Sequence, residues 1–216
     1  MMRKPALLFL TAAAALLVLS CAPKKAPAGA GQDEAAGTSV PPAAARPAAD
    51  QASISAAPGS INEMFLKAGF AVPKADVDST DFTLETLDGK SVSLASYRGS
   101  LVFLSFWATW CGPCKQELPS AQALYEKLKA KGFLIVAVDV MEGNKTVTDF
   151  VKANGMTFPV LLDTDGKVGG QYDARNIPTN YIVDRKGKIL ARIVGYDGTP
   201  WDSPQRVALF EKLLAM

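Results

Sequence analysis

Two of the three cysteines of this 216-residue chain, Cys111 and Cys114, lie two residues apart in the stretch FWATWCGPCKQE. Such a pair could bind a metal, attach haem, form a structural disulfide or exchange disulfides with another protein. A closed zinc site needs four ligands, and the sequence has no histidine and no second pair. Haem attachment needs a histidine where Lys115 stands. A disulfide across so short a loop adds little stability, so the pair favours redox chemistry.

The sequence around the pair predicts a strand followed by a helix. The run LVFLSFWA, residues 101–108, is continuously apolar, as in a strand buried on both faces, and residues 115–131 have apolar side chains at helical spacing. Cys111 should therefore lie at a helix N-terminus, where free N–H groups and the helix dipole stabilise a thiolate. We predict Cys111 as the nucleophile. Cys114, one turn further along, is placed to resolve the mixed disulfide, and Pro113 fits the first helical turn.

The remaining periodicity predicts an α/β domain with a central mixed sheet flanked by helices. A second apolar run, residues 133–140, completes a strand–helix–strand unit with the first. Further elements are an N-terminal hairpin with a two-residue turn at Asp88-Gly89, helices over 147–154 and near 168–172, a hairpin around 185–187, and a last helix after Ser203-Pro204. The helix and strand between Val140 and Tyr172 form an inserted segment.

The N-terminus predicts export. Residues 1–20 have a basic start and an apolar run, as in a signal peptide, and Leu19-Ser20-Cys21 resembles the bacterial lipobox. That resemblance implies a lipoprotein signal peptide and lipidation of Cys21; an ordinary signal peptide or an uncleaved anchor is the alternative. Residues 21–59 are rich in Ala and Pro and predict a disordered tether. Without residues 1–20 the chain has 21 basic and 21 acidic residues, which does not favour nucleic acid as a partner.

Residues 60–78 predict a short helix and a linker. Ser60 and Glu63 have the spacing of a capping box, and Gly69 can end the helix. The helix could bind a peptide or pack against the edge of the main domain, which we place at residues 79–216.

FWATWCGPCKQELP is very similar to the active-site segment of thioredoxins, and Asn176-Ile177-Pro178-Thr179 matches the cis-proline loop of that superfamily. The resemblance implies a thioredoxin-like fold with a cis Pro178 facing the cysteines; an ordinary loop proline is the alternative. It also implies that the backbone of Ile177 pairs with a bound substrate. The other substrate-binding residues implied are Trp110, Gly112 and Pro113.

Within that superfamily the hairpin at 81–94, the inserted segment and the exported, tethered layout resemble the TlpA/ResA branch. Ser105 departs from cytosolic thioredoxins, which have a buried aspartate there. Glu117 stands where ResA-type proteins have an active-site glutamate. We therefore predict that Glu117 is a partly buried catalytic residue that accepts the proton of Cys114; a solvated helix residue is the alternative.

Gly112 and Pro113 resemble the residues of reducing thioredoxins, so we expect a protein-disulfide reductase with no cofactor or metal beyond the Cys111–Cys114 disulfide. The resemblance implies a monomer anchored by lipid at Cys21 on the periplasmic or extracytoplasmic face of a bacterial membrane. It further implies oxidised exported proteins, apocytochrome c among them, as substrates and a membrane thiol reductant of the CcdA or DsbD type as electron donor.

Two other functions stay open. One is a thioredoxin-fold binding module with a permanently closed disulfide. The other is a peroxiredoxin-like thiol peroxidase, although the P-x-x-x-T-x-x-C pattern of those enzymes is not matched, because Thr109 lies two residues before Cys111 and no proline precedes it at the required spacing.

Overall fold

In this computed structural model, residues 60–216 are described. The predicted signal peptide, the tether and Cys21 lie outside that range. The helices are α1 Ile61–Lys67, α2 Gly112–Leu128, α3 Asn144–Ala153, α4 Lys167–Gln171 and α5 Pro204–Leu214. The strands are β1 Val77–Asp78, β2 Thr83–Thr86, β3 Ser91–Ser93, β4 Leu101–Trp107, β5 Phe133–Val140, β6 Val160–Asp163, β7 Thr179–Val183 and β8 Lys188–Val194.

The strands form one mixed sheet in the order β1-β8-β7-β4-β5-β6-β2-β3. The two apolar runs become β4 and β5, which pair in parallel from Leu101 opposite Phe133 to Trp107 opposite Asp139. Every residue of β4 is buried, because the strand lies at the centre of the sheet with helices flanking it. The predicted α/β fold with a mixed sheet is confirmed.

Strand β7 lies antiparallel on the other side of β4, with Thr179 opposite Phe106. The start of β7 therefore lies beside the end of β4, where the cysteine-containing helix begins. This pairing brings the loop of Pro178 next to the cysteines, although the two are more than sixty residues apart in the sequence.

The N-terminal hairpin is present, but its turn differs from the prediction. Glu85 pairs with Ser91, and the N–H of Thr86 donates to the carbonyl of Lys90 at 2.9 Å, so three residues rather than two form the loop. Gly89 ends this loop with a φ of 78°, as three-residue hairpins require. Because β2 also pairs with β6, the hairpin extends the main sheet.

The helices begin and end at slightly different residues from those predicted. Helix α2 gives way after Leu128 to a 3₁₀ turn over 129–131, and Gly132 follows with a φ of 88°. Helix α3 begins at Asn144, three residues before the predicted start, without a side-chain cap. None of the helices within residues 60–216 is long and apolar enough to cross a membrane.

Residues 60–78 pack into the same core as the rest of the described chain. The Ser60 hydroxyl accepts the N–H of Glu63 at 3.2 Å and caps α1. Phe65 and Phe70 are buried in the central hydrophobic cluster with their rings in edge contact, 5.6 Å between centroids. Strand β1 then pairs with β8 at the edge of the sheet.

Candidate active site

Cys111 is the N-cap residue of α2. Its backbone is extended, and its Sγ accepts the N–H of Cys114 at 3.2 Å. The two sulfurs are joined in a disulfide. This N–H belongs to the first turn of α2, and a helix N-terminus is a place where N–H groups and the helix dipole favour the thiolate form of a reduced cysteine. Cys111 is 4% exposed and Cys114 is 0% exposed, so Cys111 is the sulfur that a substrate can reach.

The loop before β7 lies directly beside Cys111. The Ile177–Pro178 peptide bond is cis, as the resemblance implied. The carbonyl oxygen of Ile177 lies 3.7 Å from the Sγ of Cys111. The Thr179 hydroxyl donates to the carbonyl of Asn176 at 2.5 Å, and the N–H of Gly195 donates to the carbonyl of Pro178 at 2.7 Å. These bonds fix the loop, so the backbone of Ile177 has a defined place next to the sulfur.

An apolar cavity lies beside the loop of Ile177. Trp110 is 65% exposed and Met141, in the loop after β5, is 71% exposed. Both line a cavity of about 230 Å³ that Ile177 borders as well. Gly112 and Pro113 are exposed at the start of α2. Trp110 and Ile177, two of the five predicted substrate-binding residues, thus border one cavity, and Met141, which no motif marks, lines it as well.

Glu117 is fully buried behind Cys114, and the alternative of a solvated helix residue is wrong. It lies three residues after Cys114 on α2 and is 2% exposed. Its Oε2 accepts hydrogen bonds from Nε1 of Trp201 at 3.1 Å and from Nδ2 of Asn180 at 3.3 Å. Burial raises the pKa of Glu117 to about 7, although both hydrogen bonds and the charge of Arg206 lower it. A carboxyl group with this pKa can accept a proton near neutral pH.

The hydrogen-bond partners of Glu117 were not predicted from the sequence. Asn180 is a polar residue in the buried strand β7, which is a signal that could have pointed to it. Trp201 lies in the loop before α5, and nothing nearby marks it. The guanidinium carbon of Arg206 lies 4.1 Å from the centroid of the Trp201 ring, and Arg206 donates to the carbonyl oxygens of Thr199 and Ala68. The C-terminal segment therefore belongs to the site.

The buried Glu117 predicts a pH-dependent stability. Its pKa is 4.5 in model compounds and about 7 here, so the folded protein holds the proton more tightly than the unfolded chain. This contribution to the free energy of unfolding is fully present below about pH 4.5 and is lost as the pH rises to about 7. Glu117→Gln should reduce the loss of stability across this range by on the order of 3 kcal/mol. Urea unfolding at both ends of the range measures the difference.

The matched control is Glu85→Gln, which changes an exposed carboxylate on β2. This variant should keep the pH dependence of the parent protein. An equal pH dependence in Glu117→Gln and Glu85→Gln would contradict the assignment of a raised pKa to Glu117.

Within residues 60–216, no group of three or more His, Cys, Asp or Glu side chains is arranged to hold a metal ion. The groups that the described residues bring together at this site are the two sulfurs of Cys111 and Cys114, the carboxyl group of Glu117 and the backbone carbonyl of Ile177.

The model of the AhpC/TSA family matches residues 77–192, more than half of the chain, and this stretch includes both cysteines and Pro178. The chain belongs to the AhpC/TSA family. It is 42% identical over 118 residues to the thiol-disulfide oxidoreductase ResA of Bacillus subtilis (strain 168), covering 55% of this chain and 66% of ResA. The ResA of Bacillus thuringiensis (strain Al Hakam) is 39% identical over 118 residues, which cover 55% of this chain and 68% of that protein. The match spans about two thirds of the length of these relatives.

Two solved structures show the same fold. A putative thiol:disulfide interchange protein DsbE from Chlorobium tepidum superposes with a TM-score of 0.60 at 33% identity, covering 67% of this chain and 99% of that one. StoA from Bacillus subtilis gives a TM-score of 0.51 at 30% identity, and the match covers 60% of this chain and 96% of StoA. The predicted thioredoxin-like fold and the resemblance to ResA are confirmed. This member of the AhpC/TSA family is a thioredoxin-like thiol-disulfide oxidoreductase.

Proposed function

We propose that this protein is a membrane-tethered reductase outside the cytoplasm that reduces the disulfides of exported proteins, apocytochrome c among them. The observation that carries the proposal is the place of the Cys111 sulfur, between the N–H of Cys114 in the first turn of α2 and the backbone carbonyl of Ile177. A substrate chain lying along Ile177 would present its disulfide to this sulfur.

The exchange proceeds in two steps. The thiolate of Cys111 attacks one sulfur of the substrate disulfide; that bond breaks, the other substrate sulfur leaves as a thiolate and takes up a proton, and a mixed disulfide forms. Cys114 then gives its proton to the carboxylate of Glu117 and attacks the Sγ of Cys111. The bond between Cys111 and the substrate breaks, the second substrate sulfur leaves as a thiolate and takes up a proton, and the Cys111–Cys114 disulfide closes, so two electrons have passed to the substrate.

The direction of electron flow and the location rest on sequence features. Oxidising relatives stabilise their reduced thiolate with a histidine between the cysteines, whereas this protein has Gly112 and Pro113 there. A reductant in an oxidising compartment must be recharged, which calls for a membrane thiol reductant of the CcdA or DsbD type. The signal-like residues 1–20 and the lipobox-like ending at Cys21 support export and a lipid anchor.

A trapping experiment tests this function. In Cys114→Ser the first step is intact and the second is blocked, so the full-length variant should accumulate a mixed disulfide through Cys111 with an oxidised CxxCH peptide of an apocytochrome c. Mass spectrometry of the unreduced product identifies the two joined cysteines. In fractionated cells that express the full-length protein, the protein should be found with the membranes. The Cys21→Ser variant should be found in the soluble fraction.

The double variant Cys111→Ser, Cys114→Ser is the matched control and should capture no peptide. If Cys114→Ser captures an unrelated disulfide peptide as readily as the CxxCH peptide, the apocytochrome c assignment is lost and the general reductase remains. No mixed disulfide with either peptide would favour the binding module with a static disulfide.

A further inference from the structure

Beside the active-site turn lie two carboxyl groups that the exchange reaction does not use, Asp139 and Glu142. Glu142 is in the loop between β5 and α3. Its carboxylate accepts two hydrogen bonds from Thr109, one from the backbone N–H at 2.5 Å and one from the hydroxyl at 2.6 Å. Both carboxylate oxygens of Glu142 are therefore bound to Thr109, which lies two positions before Cys111.

Thr109 belongs to the turn that ends at the nucleophile. The N–H of Cys111 donates to the carbonyl of Ala108 at 3.2 Å, which closes the turn between β4 and α2. Within this turn Thr109 is held from outside by Glu142, which comes from 33 residues further along the chain. A contact of this kind fixes the orientation of the turn relative to β5, and with it the place of the Cys111 sulfur.

Asp139 lies near the end of β5, three residues before Glu142, and interacts with the Glu142 carboxyl group. It is 0% exposed, and neither of its carboxylate oxygens receives a hydrogen bond from any donor within residues 60–216. A buried carboxylate without donors is very unfavourable, whereas a neutral carboxylic acid can donate its proton to a neighbouring carboxylate. Glu142 is that neighbour, and its two carboxyl oxygens also accept from Thr109.

The charges around Asp139 favour its neutral form. The ionisable groups that face it are Glu142 from the adjoining loop and Asp163 from the end of β6. Asp163 accepts the N–H groups of Val168 and Gly169 at 3.2 and 2.7 Å, so its two carboxyl oxygens are held at the start of α4. Burial, followed by the charges of these two neighbours, raises the pKa of Asp139 to about 8.

We propose that Glu142 is a positioning residue for Cys111, and that the neutral Asp139 next to it keeps Glu142 bound to Thr109. This inference rests on the proposed function, because it assigns a purpose to the contact only if Cys111 is the nucleophile. Ionisation of Asp139 would place a second negative charge against Glu142 and loosen its hold on Thr109. The reactivity of Cys111 should therefore fall at alkaline pH, where a simple thiol would stay at its maximum.

The test is the alkylation rate of Cys111 by iodoacetamide in the reduced full-length protein, from about pH 5 to about pH 10. Mass spectrometry of the Cys111 peptide follows this thiol alone. Glu142→Gln should slow the reaction about tenfold at all pH values, because an amide cannot accept both bonds from Thr109 and the turn shifts. Asp139→Asn should abolish the alkaline decline, since asparagine cannot ionise but can still donate to Glu142.

Glu211→Gln, which alters an exposed carboxylate paired with Lys131, is the matched control and should follow the parent profile. An unchanged rate in Glu142→Gln, or the parent's alkaline decline in Asp139→Asn, would overturn the proposal. Cys111 should react more slowly in Thr109→Val, which lacks the hydroxyl, than in Thr109→Ser. Equal rates in this pair would contradict the proposal even if Glu142→Gln and Asp139→Asn failed to fold. A parent protein whose Cys111 never reacts would instead refute the proposed function together with this inference.

Discussion

Replacing Cys111 with serine is expected to lower the rate of disulfide reduction by several orders of magnitude. A serine hydroxyl is not ionised near neutral pH. The variant therefore has no anionic nucleophile next to the N–H of Cys114, and no mixed disulfide forms. The fold should be retained, because serine is a good N-cap residue and can accept the same N–H. Turbidity from reduced insulin, with dithiothreitol as electron donor, measures the rate, and circular dichroism checks the fold.

Cys114→Ser is the informative comparison for this loss. It should also lose turnover, but its Cys111 should still be alkylated and should still form a mixed disulfide. Turnover of insulin by Cys111→Ser at the parent rate would rule out Cys111 as the nucleophile. Hydrogen peroxide consumption by the parent protein without a dithiol would favour the thiol peroxidase instead.

The second large effect is expected at Trp201. Its side chain is 0% exposed and packs against Phe103, with 4.7 Å between ring centroids, and against Phe70, with 5.9 Å. Trp201→Ala removes these contacts and leaves Arg206 without the ring on which it stacks. We expect the free energy of unfolding to fall by about 3–5 kcal/mol, the usual cost of truncating a large buried aromatic residue. Guanidinium unfolding measures this directly.

Trp201→Phe separates packing from hydrogen bonding at the same position. It keeps a ring in the core but removes the N–H that donates to Glu117. Because that hydrogen bond lowers the pKa of Glu117, the pKa should rise above about 7 in this variant. Less of the carboxylate form would then be present at neutral pH, and release of the mixed disulfide should slow. The carboxyl absorption of Glu117, followed by infrared spectroscopy against pH, gives the pKa.

Trp110→Phe is the control for both Trp201 variants, since Trp110 is 65% exposed and its replacement should change the stability by less than about 0.5 kcal/mol. A stability loss in Trp201→Ala no larger than that of Trp110→Phe would show that Trp201 does not anchor this part of the core. If the pKa of Glu117 were the same in Trp201→Phe as in the parent protein, Trp201 would not contribute to that pKa.

The sequence predicted the parts of the site that neighbouring residues define. A continuous apolar run must be buried on both faces, and a proline in the first turn after it fits a helix start, so the place of Cys111 as N-cap residue could be derived locally. The resemblance to thioredoxins added Pro178. The sequence also predicted the hairpin at Asp88-Gly89 but not its length, because the pairing of Thr86 with Lys90 depends on the register, which the dipeptide does not define.

Periodicity and motifs by themselves determined the fold class, the strand-to-helix junction and the two sulfurs of this thiol-disulfide oxidoreductase, because each depends on residues within a few turns of one another. Only the tertiary structure determined which groups surround the proton acceptor and the turn that carries those sulfurs. Trp201 and Asn180 meet Glu117 because β7 and the segment before α5 pack against α2. Glu142 meets Thr109 because β5 lies parallel to β4. Burial and charge at such contacts come from distant parts of the chain, and no local pattern encodes them.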